Sequence, residues 1–198
     1  MKKIIIVVLI LILAMLCLTS CDQPTDFGKL NEMVSTKYLQ MSIKVAINKS
    51  GEANGLVSDV VCLILSDTTK QVAYNLQEYA TFDMDGDTIT APSEQIITKS
   101  GNVTIENGNV TSFTGDRVDY DFSNIGALNM TFSETCLANA KTADGTFTAD
   151  ITDISAFLGS DIVGATNAKV SVNVKTYSSI TISYTANGSD VIITYTFG

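Results

Sequence analysis

The chain has 198 residues and a formal charge of −9, with 12 Lys plus Arg against 21 Asp plus Glu and no histidine or tryptophan. Such an acidic chain is a poor partner for nucleic acid or anionic headgroups, which need stripes of basic side chains. Without histidine it lacks the usual general base near pH 7 and the usual zinc ligand, so composition argues against an enzyme and offers no cofactor or metal set.

The first element is an export signal. Lys2 and Lys3 precede an unbroken apolar run, Ile4 to Leu18, followed by Thr19, Ser20 and Cys21. At ~1.5 Å per residue that run reaches roughly 22 Å as a helix, short of the ~30 Å hydrocarbon core of a bilayer. No Lys/Arg cluster follows it; residues 22–28 are polar and rich in helix breakers. Residues 1–20 therefore read as a cleaved signal. The motif Leu18-Thr19-Ser20-Cys21 resembles the lipobox of bacterial lipoprotein precursors. The resemblance implies that the Cys21 sulfur is acylated and that Cys21 becomes the new N-terminus. Two acyl chains, at about 0.8 kcal/mol per buried methylene, anchor stably where one is marginal. The competing reading is a plain secretory signal cut after Ser20, which leaves Cys21 an ordinary thiol.

Loss of the signal removes Lys2, Lys3 and no acid, so the formal charge falls from −9 to −11. Residues 21–28 read as a lipidated tether and 29–198 as one β-rich extracytoplasmic domain, long enough for a single core. Abundant Thr, Ser, Asn, Val and Ile with only two prolines point to strands joined by polar turns. Within the tether's end, Asp26 is placed to cap a short helix over 26–37, in which Leu30, Met33, Val34 and Lys37 share one side. From Tyr38 the period becomes two: Met41, Ile43, Val45 and Ile47 alternate with polar or small residues up to a turn at Lys49-Ser50-Gly51. Leu56 to Leu65 is apolar on both faces and reads as a central, doubly covered strand, with a helix as the alternative. Asp67 to Lys70 turns it back into Gln71 to Tyr79.

Residues 83–87, Asp-Met-Asp-Gly-Asp, have carboxylates at calcium-loop spacing out to Glu94, but Thr88 stands where an EF-hand loop needs glycine. An Asp-Gly hairpin is the better reading. Asn107-Gly108 and Asp144-Gly145 are further turns of that kind. Leu128, Met130 and Phe132 alternate like a strand, and Ser133 to Lys141 reads equally as a helical turn or a strand end. Phe147, Ala149 and Ile151 mark another strand. Asp153 caps a short helix over Ile154 to Leu158 that Gly159 closes. Val170, Val172 and Val174 then alternate, and Ile180 to Phe197 is a hairpin turning at Asn187-Gly188. Two cysteines remain in the domain. Cys62 and Cys136 are either a disulfide, which the compartment permits, or two buried thiols.

The fold class is therefore mainly β: a curved antiparallel meander, half-barrel or sandwich, with a short N-terminal helix and one or two helical turns. Each patterned strand has an apolar face that must be covered, at roughly 25 cal/mol per Å², and the helices are too few to cover them all. The opening helix, the long strands, the Gly101–Gly108 stretch and the closing hairpin ITISYTANGSDVIITYTF resemble uncharacterised lipoproteins of Gram-positive-type bacteria. Helix-then-meander behind a lipid anchor is also similar to convex half-barrels of the LolA/LolB type and to mycobacterial lipid-binding lipoproteins, which implies a cavity for an apolar ligand. The expectation is a non-catalytic, membrane-anchored binding lipoprotein on the extracytoplasmic face, its one named site the lipid attachment at Cys21. Its partners would be the membrane, an apolar small ligand such as an acyl chain, or an envelope protein. The alternative is a cell-surface structural or protein-interaction module with a packed core.

Overall fold

The computed structural model describes residues 26–36, 38–49, 55–79, 84–85, 88–89, 95–118, 122, 125 and 128–198. Residues 1–20, expected to form an export signal, Cys21 and the turn expected at Ser50-Gly51 lie outside the described residues.

Helix α1 spans Phe27–Ser35. Asp26 caps it, its carboxylate accepting from the Lys29 N–H at 3.3 Å, which satisfies one of the amides that a helix start leaves free. So short a helix is unstable alone. It is held by burying Leu30, Met33 and Val34 on one stripe.

The strands are β1 (Gln40–Lys49), β2 (Gly55–Ile64), β3 (Thr69–Tyr79), β4 (Met84–Asp85), β5 (Thr88–Ile89), β6 (Gln95–Glu106), β7 (Asn109–Gly115), β8 (Leu137–Ala143), β9 (Thr146–Ile151), β10 (Thr166–Asn173), β11 (Ser179–Ala186) and β12 (Ser189–Phe197); helix α2 (Ile154–Leu158) follows β9. Ten strands form one antiparallel sheet in the order β7-β6-β3-β2-β1-β12-β11-β10-β9-β8, and β4 and β5 pair separately as a small hairpin. A hairpin does form there, but Asp85 pairs with Thr88 and Met84 with Ile89, so Asp85 belongs to a strand and not to the turn in which the Asp-Gly reading placed it. The remaining hairpins follow their turn chemistry. At Asn107-Gly108, Asp144-Gly145 and Asn187-Gly188 both residues have positive φ, between 51° and 80°. That is the geometry of a type I′ turn, which matches the right-handed twist of the flanking strands.

Neighbours in the sheet are neighbours in the chain except at two places. One is β3–β6, which brackets the small hairpin. The other is β1–β12, where the two ends of the domain meet in register from Met41↔Phe197 to Lys49↔Ser189. The sheet does not close, and β7 and β8 are its edges. Residues 116–136 carry the chain from one edge to the other. A flat ten-stranded sheet is roughly 43 Å wide at ~4.8 Å per strand, and an extended segment of that length reaches roughly 70 Å. The crossing is therefore easily spanned. Its described residues Phe122, Ile125, Met130 and Phe132 are buried against the apolar inner face.

This crossing explains a departure from the sequence reading. Leu128, Met130 and Phe132 alternate in burial as a strand would, yet the segment joins no ladder. Its backbone is satisfied otherwise. The Asn31 side-chain amide donates to the Phe132 carbonyl at 2.9 Å and accepts from the Phe132 N–H at 2.8 Å, and the Thr131 N–H donates to the Phe157 carbonyl at 3.0 Å. Ser133 to Lys141 resolves into a turn followed by the start of β8.

The core has two parts on the same inner face. One lies under α1, α2 and residues 130–137, and includes Phe132, Phe147, Phe157, Val172, Ile180 and Ile182. The other lies on β2, β3 and β6 under Phe122 and Ile125. Ile43 touches both. β2 is central in the sheet but covered on one face alone. Val60 and Cys62 are buried inside while Leu63 and Leu65 stand exposed, so the apolar run of Leu56 to Leu65 overstates its burial. Cys62 and Cys136 are free, buried thiols, one in each core cluster.

Gly101 shows how tightly the β3–β6–β7 corner is packed. A Cβ there would run into the Tyr74 ring and the Thr114 carbonyl, while the Tyr74 hydroxyl donates to the Asp116 carbonyl. Gly101→Ala is expected to cost about 1–3 kcal/mol, the usual penalty of overpacking. A lowered urea midpoint at unchanged slope would register it.

Candidate functional site

Strand register places the inner-face side chains in rows that cross the sheet. One row runs Leu76, Ser58, Val45, Ile193, Ile182, Val170, Ala149 through β3, β2, β1, β12, β11, β10 and β9. Period-two alternation puts all of these on one face. The row changes character between β11 and β12. Ile182, Val170 and Ala149 are buried, whereas Ile193, Val45, Ser58 and Leu76 are half-exposed. Ile43 and Tyr195, opposite each other in the adjoining row, and Ile47 and Tyr184 are half-exposed as well. The cover formed by α1, α2 and residues 128–136 therefore leaves a half-exposed apolar strip on β1 and β12, next to the buried row on β9–β11 and continued by Ser58 and Leu76 across β2 and β3.

The strip carries few polar groups: Ser58 and the phenols of Tyr184 and Tyr195. Burial pushes the Tyr184 phenol up from its ordinary value, so it is neutral. Such a surface offers contact area and a few hydrogen bonds. It offers no nucleophile paired with a base, and no group of three or more His, Cys, Asp or Glu able to hold a metal lies among the described residues.

The outer face is different. A groove of about 600 Å³ runs over β8–β11, lined by Asn139, Lys141, Thr148, Asp150, Lys169 and Ser171 among others. Asn139, at a bulge with φ of 53°, donates to the Asp150 carboxylate at 2.7 Å. Short hydroxyl and amide side chains at this density keep a sheet face hydrated. No aromatic ring lines the groove.

The one site residue expected from sequence, Cys21, lies outside the described residues, as does most of the carboxylate loop of 83–94. The inner strip was legible in part, since Met41, Ile43, Val45 and Ile47 alternate. The row left uncovered was not legible, because it depends on where Phe122, Ile125 and residues 128–136 pack on the sheet. The outer groove was missed because Lys141, Asp150 and Lys169 are far apart in sequence and no spacing signals them.

Burial also sets the response to alkali. The Cys62 thiol is pushed up by burial, partly offset by the Lys70 ammonium, and the Tyr38, Tyr74 and Tyr184 phenols are pushed up chiefly by burial. The folded state then holds these protons more tightly than the unfolded chain does. Their contribution is fully present below the unfolded values, about 8.5 for the thiol and about 10 for the phenols, and is lost as pH rises past them. Chemical denaturation should show a midpoint that falls above pH 9. Both thiols should stay unreactive to an aqueous thiol reagent at pH 8 until denaturant is added.

No family model matches this chain, and no curated protein is significantly similar to it.

Proposed function

We propose that the protein is a lipoprotein anchored through Cys21 to the extracytoplasmic face of the membrane, and that its domain binds an apolar ligand, an acyl chain or lipid-like molecule, without catalysis. The observation that carries this reading is the half-exposed apolar strip on the inner face. Val45, Ile193, Leu76, Ile47 and Ile43 lie there with little polar interruption, next to the buried row on β9–β11. Apolar ligands are bound by concave, mostly apolar surfaces with a few polar groups that fix orientation, and Ser58 and Tyr184, the polar groups at the strip, support the reading. The anchor rests on the lipobox-like Leu18 to Cys21 and the short apolar run before it. Native mass spectrometry and solvent extraction of the protein beginning at Asp22 provide the test. A co-purifying lipid-like mass, or saturable binding of a fatty-acid probe, is the expected result. A domain that carries nothing and binds no such probe defeats the reading.

A second reading, a cell-surface interaction module, draws on one observation: β7 and β8 are the open edges of the sheet. Open edges accept added strands. Each edge carries a bulge, between Ala138 and Lys141 in β8 and at Thr111 in β7, and the regular stretch of β7 from Ser112 to Gly115 is the part open to an added strand.

A further inference from the structure

Four of the five large apolar side chains exposed among the described residues gather at one end of the sheet: Leu39 (78 %), Leu63 (38 %), Leu65 (58 %) and Val110 (50 %). Exposed leucines scattered singly need no explanation, but a group does. The backbone brings them together. The Ile64 N–H donates to the Leu39 carbonyl at 2.9 Å, Leu63 pairs with Gln40, and the Leu65 N–H donates to the Thr69 carbonyl at 3.0 Å. The Asn107 N–H donates to the Thr68 carbonyl at 2.8 Å, which sets the β6–β7 hairpin, with Val110, beside the β2–β3 turn. The fifth, Val163 (74 %), stands at the opposite end, next to Gly164, whose Cβ position faces the Asn187 side chain in the β11–β12 turn.

The chain enters the domain at the leucine end. Asp26 begins α1, whose Phe27 ring packs edge-on against Phe147 near the start of β9, 6.3 Å between centroids. α1 then runs toward Tyr38, which stacks on Phe197 at the end of β12. Residues 21–25 reach at most roughly 17 Å, so an acylated Cys21 holds this end, and not the Val163 end, against the bilayer. From β9 to β1 is about 19 Å across the sheet, at ~4.8 Å per strand. The point of entry and the leucines can therefore meet one plane.

Resting on the Cys21 reading, we propose that Leu39, Leu63 and Leu65 form a second membrane contact, seated in the interfacial layer of the bilayer that holds the lipid anchor. Apolar side chains of this kind settle about 5–10 Å into the headgroup boundary. The charges at this end are mixed, with Lys29, Lys70 and Lys175 among the cations and Asp26, Glu32, Asp67, Glu106 and Asp144 among the anions. The contact therefore rests on apolar insertion rather than on headgroup charge, and Asp67 beside Leu65 keeps it shallow. The stable lipid anchor holds the leucines close to the bilayer, so even a weak contact there fixes how the domain is oriented on the surface.

The test uses the full chain, matured from its own signal, purified from membranes and reconstituted into phosphatidylcholine vesicles. Leu65→Cys and Val163→Cys each carry an environment-sensitive fluorophore; Cys62 and Cys136 are buried and do not compete for label. The expected result is blue-shifted emission at position 65, quenched by lipids bearing a nitroxide near the headgroup and unchanged by high salt, while position 163 emits as in water. Equal, water-like emission at both positions on a chain whose mass includes the acyl groups overturns the membrane contact and leaves the lipoprotein reading standing. A blue shift without quenching by the nitroxide lipids also overturns it, and assigns the leucines to a protein partner or a second copy. A mass without acyl groups overturns the anchor and the contact together.

Discussion

Phe132→Ala is expected to remove roughly 3–5 kcal/mol of unfolding free energy, the cost of emptying a fully buried aromatic site. A domain of this size has only about 5–15 kcal/mol in total, so the variant should be close to unfolding at 37 °C. Phe132 is 1 % exposed and lies edge-on to Phe147 and Phe157, at 6.0 and 5.2 Å between centroids. It thus joins the crossing segment to β9 and to α2 at once. Its own backbone is gripped by Asn31 of α1. Truncation leaves a void where three elements meet, and none of them can close in without breaking the Asn31 pair. Equilibrium urea unfolding followed by circular dichroism gives the loss directly. A change below about 1 kcal/mol, typical of surface positions, would mean that residues 128–136 are not the lid of this core.

The second large effect concerns binding. Ile193→Glu places a carboxylate in the middle of the apolar strip, next to Val45 on β1 and Ile182 on β11. Covering that charge with an apolar ligand costs several kcal/mol, so affinity for a fatty-acid probe should fall at least ~100-fold, at 1.4 kcal/mol per tenfold. Ile193 is half-exposed in the free protein, which lets the variant fold. Thr196→Glu is the control: it lies three residues along the same strand, on the outer face, paired with Ser42 and Ser179. It should leave probe binding unchanged. Equal effects from both substitutions, in fluorescence titration, would remove the strip as the binding surface.

Most of the local structure was legible because it obeys short-range rules. Asp26 and Asp153 cap helices through bonds to amides three residues on, and Asn-Gly or Asp-Gly pairs turn the chain because only such residues tolerate positive φ in succession. The segment at 128–132 misled for an instructive reason. Alternating burial reports one apolar and one polar side, and that is equally true of an extended cover lying on a sheet and of a strand within it. The bonds that tell the two apart come from Asn31, a hundred residues away. The same limit applied to Leu63 and Leu65, whose hydrophobicity reads as burial until their end of β2 is seen to be bare.

By itself, then, the sequence determined that this is a β-rich, acidic chain, where its Asn-Gly and Asp-Gly turns at 107–108, 144–145 and 187–188 lie, and which side of its alternating strands faces inward. Those follow from contacts within a few residues, where side-chain type and backbone geometry are directly coupled. Only the tertiary structure decided that the strands make one open sheet rather than two stacked ones. It alone decided that β1 pairs with β12, and that Phe122, Ile125 and residues 128–136 cover parts of the inner face and leave Val45 and Ile193 half-exposed. These depend on pairings between residues distant in the chain, and the energy of such a pairing is set by what else is already packed there. The apolar strip is a consequence of where that cover lies.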